Sequence, residues 1–276
     1  MHGIGNDYVY INLTEEQVSL PAELARKISD RHFGVGADGL VLIDRSPIAD
    51  LSMRMFNADG SESEMCGNAI RCVAKYGYEH GLVDKTKLEI DTLAGVREVE
   101  LQLDDWGRAG LVRVNMGVPE LAGNRIPSTF GSEPMIDTPI EIDGQTFQAT
   151  LVNMGNPHFV TFVDDVDQLD VARLGPMIEG CSLFPNRINV EFVQILSPTS
   201  AKQRTWERGS GETAACGTGA SATLVAGLLT GRLEKHSTIE LTGGRLQIAW
   251  EGRNHPLFMS GPAVEVFEGT LEVPTP

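Results

Sequence analysis

Residues 54–81 read RMFNADGSESEMCGNAIRCVAKYGYEHG, and residues 204–231 read RTWERGSGETAACGTGASATLVAGLLTG. Slid by 150 positions, one stretch lies on the other without a gap. Six residues coincide: Arg54 with Arg204, Glu62 with Glu212, Cys66 with Cys216, Gly67 with Gly217, Gly77 with Gly227, and Gly81 with Gly231. Phe56 falls on Trp206, and the same offset lays Gly5-Asn6 on Gly155-Asn156. A fixed internal offset is the mark of a duplicated unit. The chain therefore reads as two related halves, each with a single Cys-Gly at the start of a helix.

The surrounding patterns agree. Short β-branched runs recur on both sides of each Cys-Gly: GLVLID, LSMRMF, KLEIDTL, REVELQLDD and AGLVRVN in the first half. The second half carries PIEI, TFQATLVN, FVTFVDD, RINVEFVQIL, TIELTGG and RLQIAW. Such runs bounded by turn residues predict strands. Asp143-Gly144 and Gly243-Gly244 predict hairpin turns. Helices are expected over 21–32, around 167–179, and after each Cys-Gly. The fold class is α+β: two pseudo-symmetric halves, each a mostly antiparallel sheet wrapped around a central helix. The first half is expected to run 1–115, rejoined by a C-terminal strand over 262–276. The second runs 116–261, and the Gly-, Pro- and Asn-rich stretch 114–127 is the expected linker.

Composition narrows the function. The 276 residues carry 22 basic and 38 acidic side chains, a net charge of −16. Phosphate-rich partners would be repelled, so neither nucleic acid nor an anionic membrane is an expected partner. A small-molecule substrate feels only its local pocket and remains open. No apolar run reaches membrane-spanning length and no leader pattern opens the chain, so a cytoplasmic location is expected. Cys66, Cys72, Cys181 and Cys216 are sparse and irregular, which fits a reducing compartment. They lack zinc-ligand spacing, so no metal is expected.

The two equivalent cysteines carry the chemistry. The N–H groups and partial positive charge of a helix N-terminus favour an anion, either a carboxylate or the thiolate itself. A free thiol ionises near about 8.5, and a helix start can bring it lower. One such cysteine could be a structural core residue. Two at equivalent helix starts suggest two bases that serve opposite faces of one carbon, one removing a proton and the other returning it. Cys72 and Cys181 lack this context and receive no role. No lysine stands in a context that suggests pyridoxal phosphate.

GNDY at 5–8, FNADGSESEMCGNAIRC at 56–72, GNPHFV at 155–160, RINVEF at 187–192 and WERGSGETAACGTGA at 206–220 closely resemble the signatures of the diaminopimelate epimerases. The motifs are long, in order and spread along the chain. The resemblance implies a cofactor-independent isomerase. It would interconvert LL- and meso-2,6-diaminopimelate for lysine and peptidoglycan-precursor synthesis, with its active site in the cleft between the halves, in a homodimer. Carried over residue by residue, it makes Cys66 and Cys216 the catalytic pair, with Cys216 abstracting from the LL isomer. His158 and Glu207 would support them. Asn6, Asn57, Asn156 and Asn189 would fix the substrate's ammonium and carboxylate groups. Gly67-Asn68 and Gly217-Thr218 would offer N–H groups to the reacting carboxylate. Glu207 and Arg208 would act at the far end, the arginine gripping the distal carboxylate.

Two departures stand out. Many members have glutamine where this chain has Gly39, and members usually carry strand residues ahead of MHGIGNDY. The C-terminal PAVEVFEGTLEV is expected to replace such an edge strand. Three other readings remain: a proline or hydroxyproline racemase, a thiol hydrolase using Cys216 with His158, and a non-catalytic amino-acid-binding relative. The Glu207-Arg208 pair argues for a substrate with a second amino-acid head group. A hydrolase would leave Cys66 without a purpose.

Overall fold

The computed structural model describes residues 1–272. The chain divides into two compact units, one of Met1–Val114 with the segment from Gly261 onward, the other of Asn115–Ser260. The first unit contains β1 (His2–Gly3), β2 (Asn6–Asp7), β3 (Val9–Asn12), α1 (Pro21–Ser29), β4 (Gly39–Asp44), β5 (Leu51–Asn57), β6 (Glu62–Ser63), α2 (Gly67–Glu79), β7 (Lys87–Asp91), β8 (Arg97–Leu103) and β9 (Ala109–Asn115). Its sheet runs β3-β4-β5-β7-β8-β9, with β6 paired to β5 and a separate β1-β2 ladder. The β3-β4 and β5-β7 pairs are parallel and the others antiparallel.

The second unit contains β10 (Thr138–Ile142), β11 (Gln145–Asn153), β12 (Pro157–Phe162), α3 (Val171–Glu179), β13 (Asn189–Ser197), β14 (Ser200–Glu207), β15 (Gly211–Thr213), α4 (Gly217–Leu229), β16 (His236–Leu241), β17 (Gly244–Trp250) and β18 (Leu257–Gly261). Its sheet runs β10-β11-β12-β13-β14-β16-β17-β18, with β15 on β14. Only β12-β13 and β14-β16 are parallel among these described pairs.

The internal repeat is written into the geometry. Shifting α1 and α2 by 150 residues reproduces the bounds of α3 and α4. Strand register follows: Leu40 pairs with Phe56 as Val190 pairs with Trp206, and Val9 with Leu40 as Phe159 with Val190. The Arg54–Glu62 ion pair at 2.7 Å recurs as Arg204–Glu212 at 2.7 Å.

Each sheet curls around its helix for a reason visible in the helix. In α4, ten of 13 residues are buried, so apolar surface must be covered on nearly every side. It packs on β11, β12, β13, β16 and β17. Beside it, α3 places Val171, Leu174 and Ile178 against Phe159, Phe184 and Phe192 in one core. Burying each such aromatic ring is worth about 1.5–3 kcal/mol. In the first unit α1 offers Leu24, Ala25 and Ile28 to Leu40, Leu42 and Phe56.

Boundaries differ from the sequence reading in three places. The first helix stops at Ser29 because the Asp30 carboxylate accepts the N–H groups of His32 and Phe33, turning the chain away. The second expected hairpin turns on Thr242-Gly243, since Gly244 is already paired with Leu241. The expected strand over 262–276 is no strand within the described residues. His2 and Val264 form an isolated bridge, Pro262 has no N–H to donate, and 265–272 is irregular. Residues 273–276 lie outside the described chain. No helix among the described residues is long and apolar enough to cross a membrane.

Candidate active site

The first half-site is built around Cys66, the N-cap of α2, in extended conformation (φ −132°, ψ 124°). Its first intrahelical bond runs from Ile70 N–H to Cys66 O, so the N–H groups of residues 67–69 precede the helical ladder. The Cys66 Sγ is half-buried and lies 3.5 Å from Asn6 Oδ1. A tight hairpin presents Asn6: Ile4 and Gly5 both take positive φ (49° and 89°), as a two-residue primed turn requires. Asn6 Nδ2 donates to Asp38 Oδ2 at 2.7 Å, and Asn68 Nδ2 donates to Asn6 Oδ1 at 3.2 Å. Asn57 ends β5 and donates to Ser61 Oγ at 3.0 Å. Gly39, its cross-strand partner, has no room for a side chain. A Cβ there would sit 2.1 Å from Phe56 O.

Arg71 was not singled out in the sequence, yet it underlies this half-site. It is fully buried, donating through Nη1 to Gly67 O (2.9 Å), through Nη2 to Asn68 Oδ1 (3.0 Å) and through Nε to Pro262 O (3.2 Å). A guanidinium keeps its charge even when buried. The signal was present in CGNAIRC, where a charged residue shares a helix face with Ala74 and Gly67.

Cys216 caps α4 in the second half-site (φ −123°, ψ 106°) and is buried. Gly219 N–H donates to its Sγ at 3.4 Å, and Thr218 Oγ1 lies 3.5 Å away. Burial first, then the Glu207 and Glu191 carboxyls, push the Cys216 thiol well above the usual thiol range. Burial also raises the Glu207 carboxyl above its ordinary value. Glu207 accepts a hydrogen bond from the Thr213 hydroxyl and another links it to Cys216. So Glu207 stands against the thiol rather than beside Arg208: β14 ends at Glu207, and Arg208 opens the turn that follows. Arg208 is exposed and donates through Nη1 to Asn186 O at 3.3 Å.

His158 and Glu191 are both fully buried, with Nδ1 and Oε1 2.8 Å apart. His158 Nε2 lies 2.9 Å from Asn156 Oδ1. Asn189 donates to Pro157 O (2.9 Å) and accepts from Arg208 N–H (2.9 Å), which leaves one amide hydrogen and one lone pair for a ligand. Glu191 was missed. Its clue was a charge between Val190 and Phe192 in the apolar strand RINVEF. Gly219 shows how tightly the cluster converges. A Cβ there would be 2.6 Å from Glu191 Oε1, 3.1 Å from Gln203 Nε2 and 3.2 Å from Cys216 Sγ.

Cys72 is buried, Cys181 partly so, and no described cysteine is in a disulfide. A groove of about 520 Å³ beside Cys181, lined by Glu179, Phe184 and Arg187, contains none of the site residues. Among the described residues no group of three His, Cys, Asp or Glu side chains is arranged to hold a metal ion.

Comparison with known proteins places this arrangement. Residues 1–122 and 150–266 match the family model for diaminopimelate epimerase. A diaminopimelate epimerase of Acetivibrio thermocellus is 52% identical over 273 residues, covering 99% of this chain and 97% of the relative. One from Methanococcus maripaludis is 45% identical, covering 99% and 98%. Among solved structures, a phenazine biosynthesis protein of the PhzF family from Bacillus anthracis superposes with a TM-score of 0.70 at 16% identity, covering 99% of this chain and 95% of the other. A hydroxyproline epimerase from Agrobacterium vitis, with bound trans-4-hydroxy-L-proline, gives 0.65 at 15% identity, covering 95% and 86%. These distant structures share the fold. The family model and the close relatives, matched along nearly the whole chain, show that it belongs to the diaminopimelate epimerase family.

Proposed function

We propose that the protein interconverts LL- and meso-2,6-diaminopimelate, without a cofactor, by proton removal and return at the α-carbon. The observation that carries this is a thiol at each of two repeat-equivalent helix starts in a chain about half identical to diaminopimelate epimerases over its full length. The product serves lysine and peptidoglycan-precursor synthesis. In this reading the Cys216 thiolate takes the α-proton of the LL isomer, and the Cys66 thiol supplies one to the opposite face. The reverse reaction exchanges their roles. The N–H groups of Gly67, Asn68, Gly217 and Thr218 hold the reacting carboxylate, whose oxygens gain charge as the proton leaves. Asn6, Asn57, Asn156 and Asn189 orient the ammonium and carboxylate groups. Arg208 grips the distal carboxylate, while Glu207 and His158 act on the thiol side. A cytoplasmic homodimer completes the proposal, and light scattering tests the assembly.

Proton NMR in D2O with reductant tests the chemistry. LL-diaminopimelate should lose its α-proton signal as the meso isomer forms. Cys66→Ser and Cys216→Ser should each lower kcat by about 10²–10⁴-fold, the usual worth of a positioned acid or base. Exchange of trans-4-hydroxy-L-proline in place of diaminopimelate would move the assignment to a prolyl substrate. Binding without exchange of either would leave a non-catalytic relative.

A further inference from the structure

The two half-sites follow one repeat in backbone and differ in buried charge. Position 71 in the first half corresponds to 221 in the second. Arg71 Nη1 donates to Gly67 O at 2.9 Å, and Ser221 Oγ donates to the equivalent Gly217 O at 2.9 Å. The same carbonyl is served by a cation in one unit and by a neutral hydroxyl in the other. Position 191 in the second half corresponds to Val41, which is fully buried in the first. There the apolar side chain is replaced by Glu191, whose Oε1 lies so near the first turn of α4 that a Cβ added at Gly219 would fall 2.6 Å from it. Its Oε2 is buried with no hydrogen-bond partner in the described structure.

The neighbours do not reverse these signs. Arg71 acts electrostatically on Cys66, Cys72 and Tyr10. Asp38, reached from Cys66 through Asn6, shares Arg31 with Asp7 (3.0 and 2.7 Å); this outer cluster keeps one negative charge, but it is exposed and screened by water, whereas Arg71 is fully buried. Around Cys216 stand two carboxyls, Glu191 and Glu207, and one imidazole, His158. An imidazolium offsets at most one carboxylate, so with both carboxyls ionised that cluster stays negative. A thiolate is stabilised beside a cation and opposed beside an anion, most strongly where water is excluded.

We propose that these two repeat-breaking charges decide where the resting enzyme keeps its exchangeable proton: on Cys216 beside Glu191, with Cys66 the thiolate beside Arg71. Glu191 is thus a positioning residue, acting through Cys216 and not on substrate. The consequence for catalysis is that free enzyme rests in the form whose base is Cys66, the form ready for the meso isomer. This consequence rests on the two-thiol reading above; the proton's location does not, and it is measured without substrate.

The test is alkylation of the reduced full-length chain by iodoacetamide across a pH series, with each cysteine followed as its own peptide by mass spectrometry. Only thiolates react, so the midpoint of each profile reports ionisation, whereas accessibility scales the plateau. The Cys66 midpoint should fall at least about one pH unit below that of Cys216, a tenfold difference in ionisation. Glu191→Gln keeps the size of the side chain and one acceptor oxygen, and removes its charge. It should draw the Cys216 midpoint down by about one unit while Cys66 stays in place. A general loosening of the fold would raise both plateaus and leave the order of midpoints alone. A Cys66 midpoint at or above that of Cys216 in the unaltered protein overturns the proposal, whether or not the variant folds. An unmoved Cys216 midpoint in folded Glu191→Gln removes Glu191 from it. Failure of the epimerase reading would show instead as absent α-proton exchange, with both midpoints unaffected.

Discussion

Glu207 and Arg208 are adjacent in sequence and do different things because β14 ends at Glu207 while Arg208 belongs to the exposed turn that follows. Glu207 turns inward to Thr213 and Cys216, and burial raises its carboxyl above the ordinary value of 4.5. The sign of the stability effect follows. Below the ordinary value both folded and unfolded chains keep the proton, and this carboxyl costs nothing in charge burial. As pH rises past it, the unfolded chain ionises first and the folded state loses relative stability until its own carboxyl ionises. Glu207→Gln cannot ionise, so it should melt higher, relative to the unaltered protein, at pH 8 than at pH 4. Thermal melts of both proteins at the two values check this. An equal difference at both would show that Glu207 does not carry a raised carboxyl. Of the residues at this site, the cysteines, asparagines and Glu207 were legible as motif members. Arg71 and Glu191 were visible only as charges out of place in apolar patterns, with no local clue to what they face.

At the scale of elements, the 150-residue offset holds through both helices and slips by one residue later. Leu51 pairs with Ile90, but Ala201 pairs with Ile239, an offset of 149. The helix packing is therefore comparable between the units. Gly77 and Gly227 occupy the same point late in α2 and α4, and each meets a leucine. A Cβ would lie 2.5 Å from Leu51 Cδ1 in one and 2.6 Å from Leu233 Cδ1 in the other. Gly77→Ala and Gly227→Ala should each destabilise by about 1–3 kcal/mol, the usual cost of overpacking a core. Urea unfolding measures both. A neutral or stabilising result at either would mean that the helix gains more from alanine's propensity than the leucine loses. Long strands and the amphipathic or apolar helices were readable because their periodicity is local. The two-residue strands β1, β2 and β6 carry no periodicity; pairing across a turn or against a neighbour defines them.

For the whole molecule, a net charge of −16 sets up self-repulsion that opposes compaction. Salt at about 0.15 M shortens the reach of exposed charges to about 8 Å. The melting temperature should accordingly rise by a few degrees between low-salt buffer and about 0.15 M sodium chloride, where each kcal/mol is worth about 2–4 °C in a chain of this size. A flat response in differential scanning calorimetry would show that the surface ion pairs already balance the excess.

By itself the sequence determined the α+β class, the duplication and the two cysteines at helix starts. Each depends on interactions between residues close in the chain or on a repeat that can be counted along it. Only the tertiary structure decided which charges lie behind each thiol. His158 reaches Glu191 across 33 residues through the parallel pairing of β12 with β13, and Glu191 meets Gly219 because α4 packs on β13. Electrostatics inside a protein follow distance in space and exclusion of water, and strand pairing, not chain order, sets both.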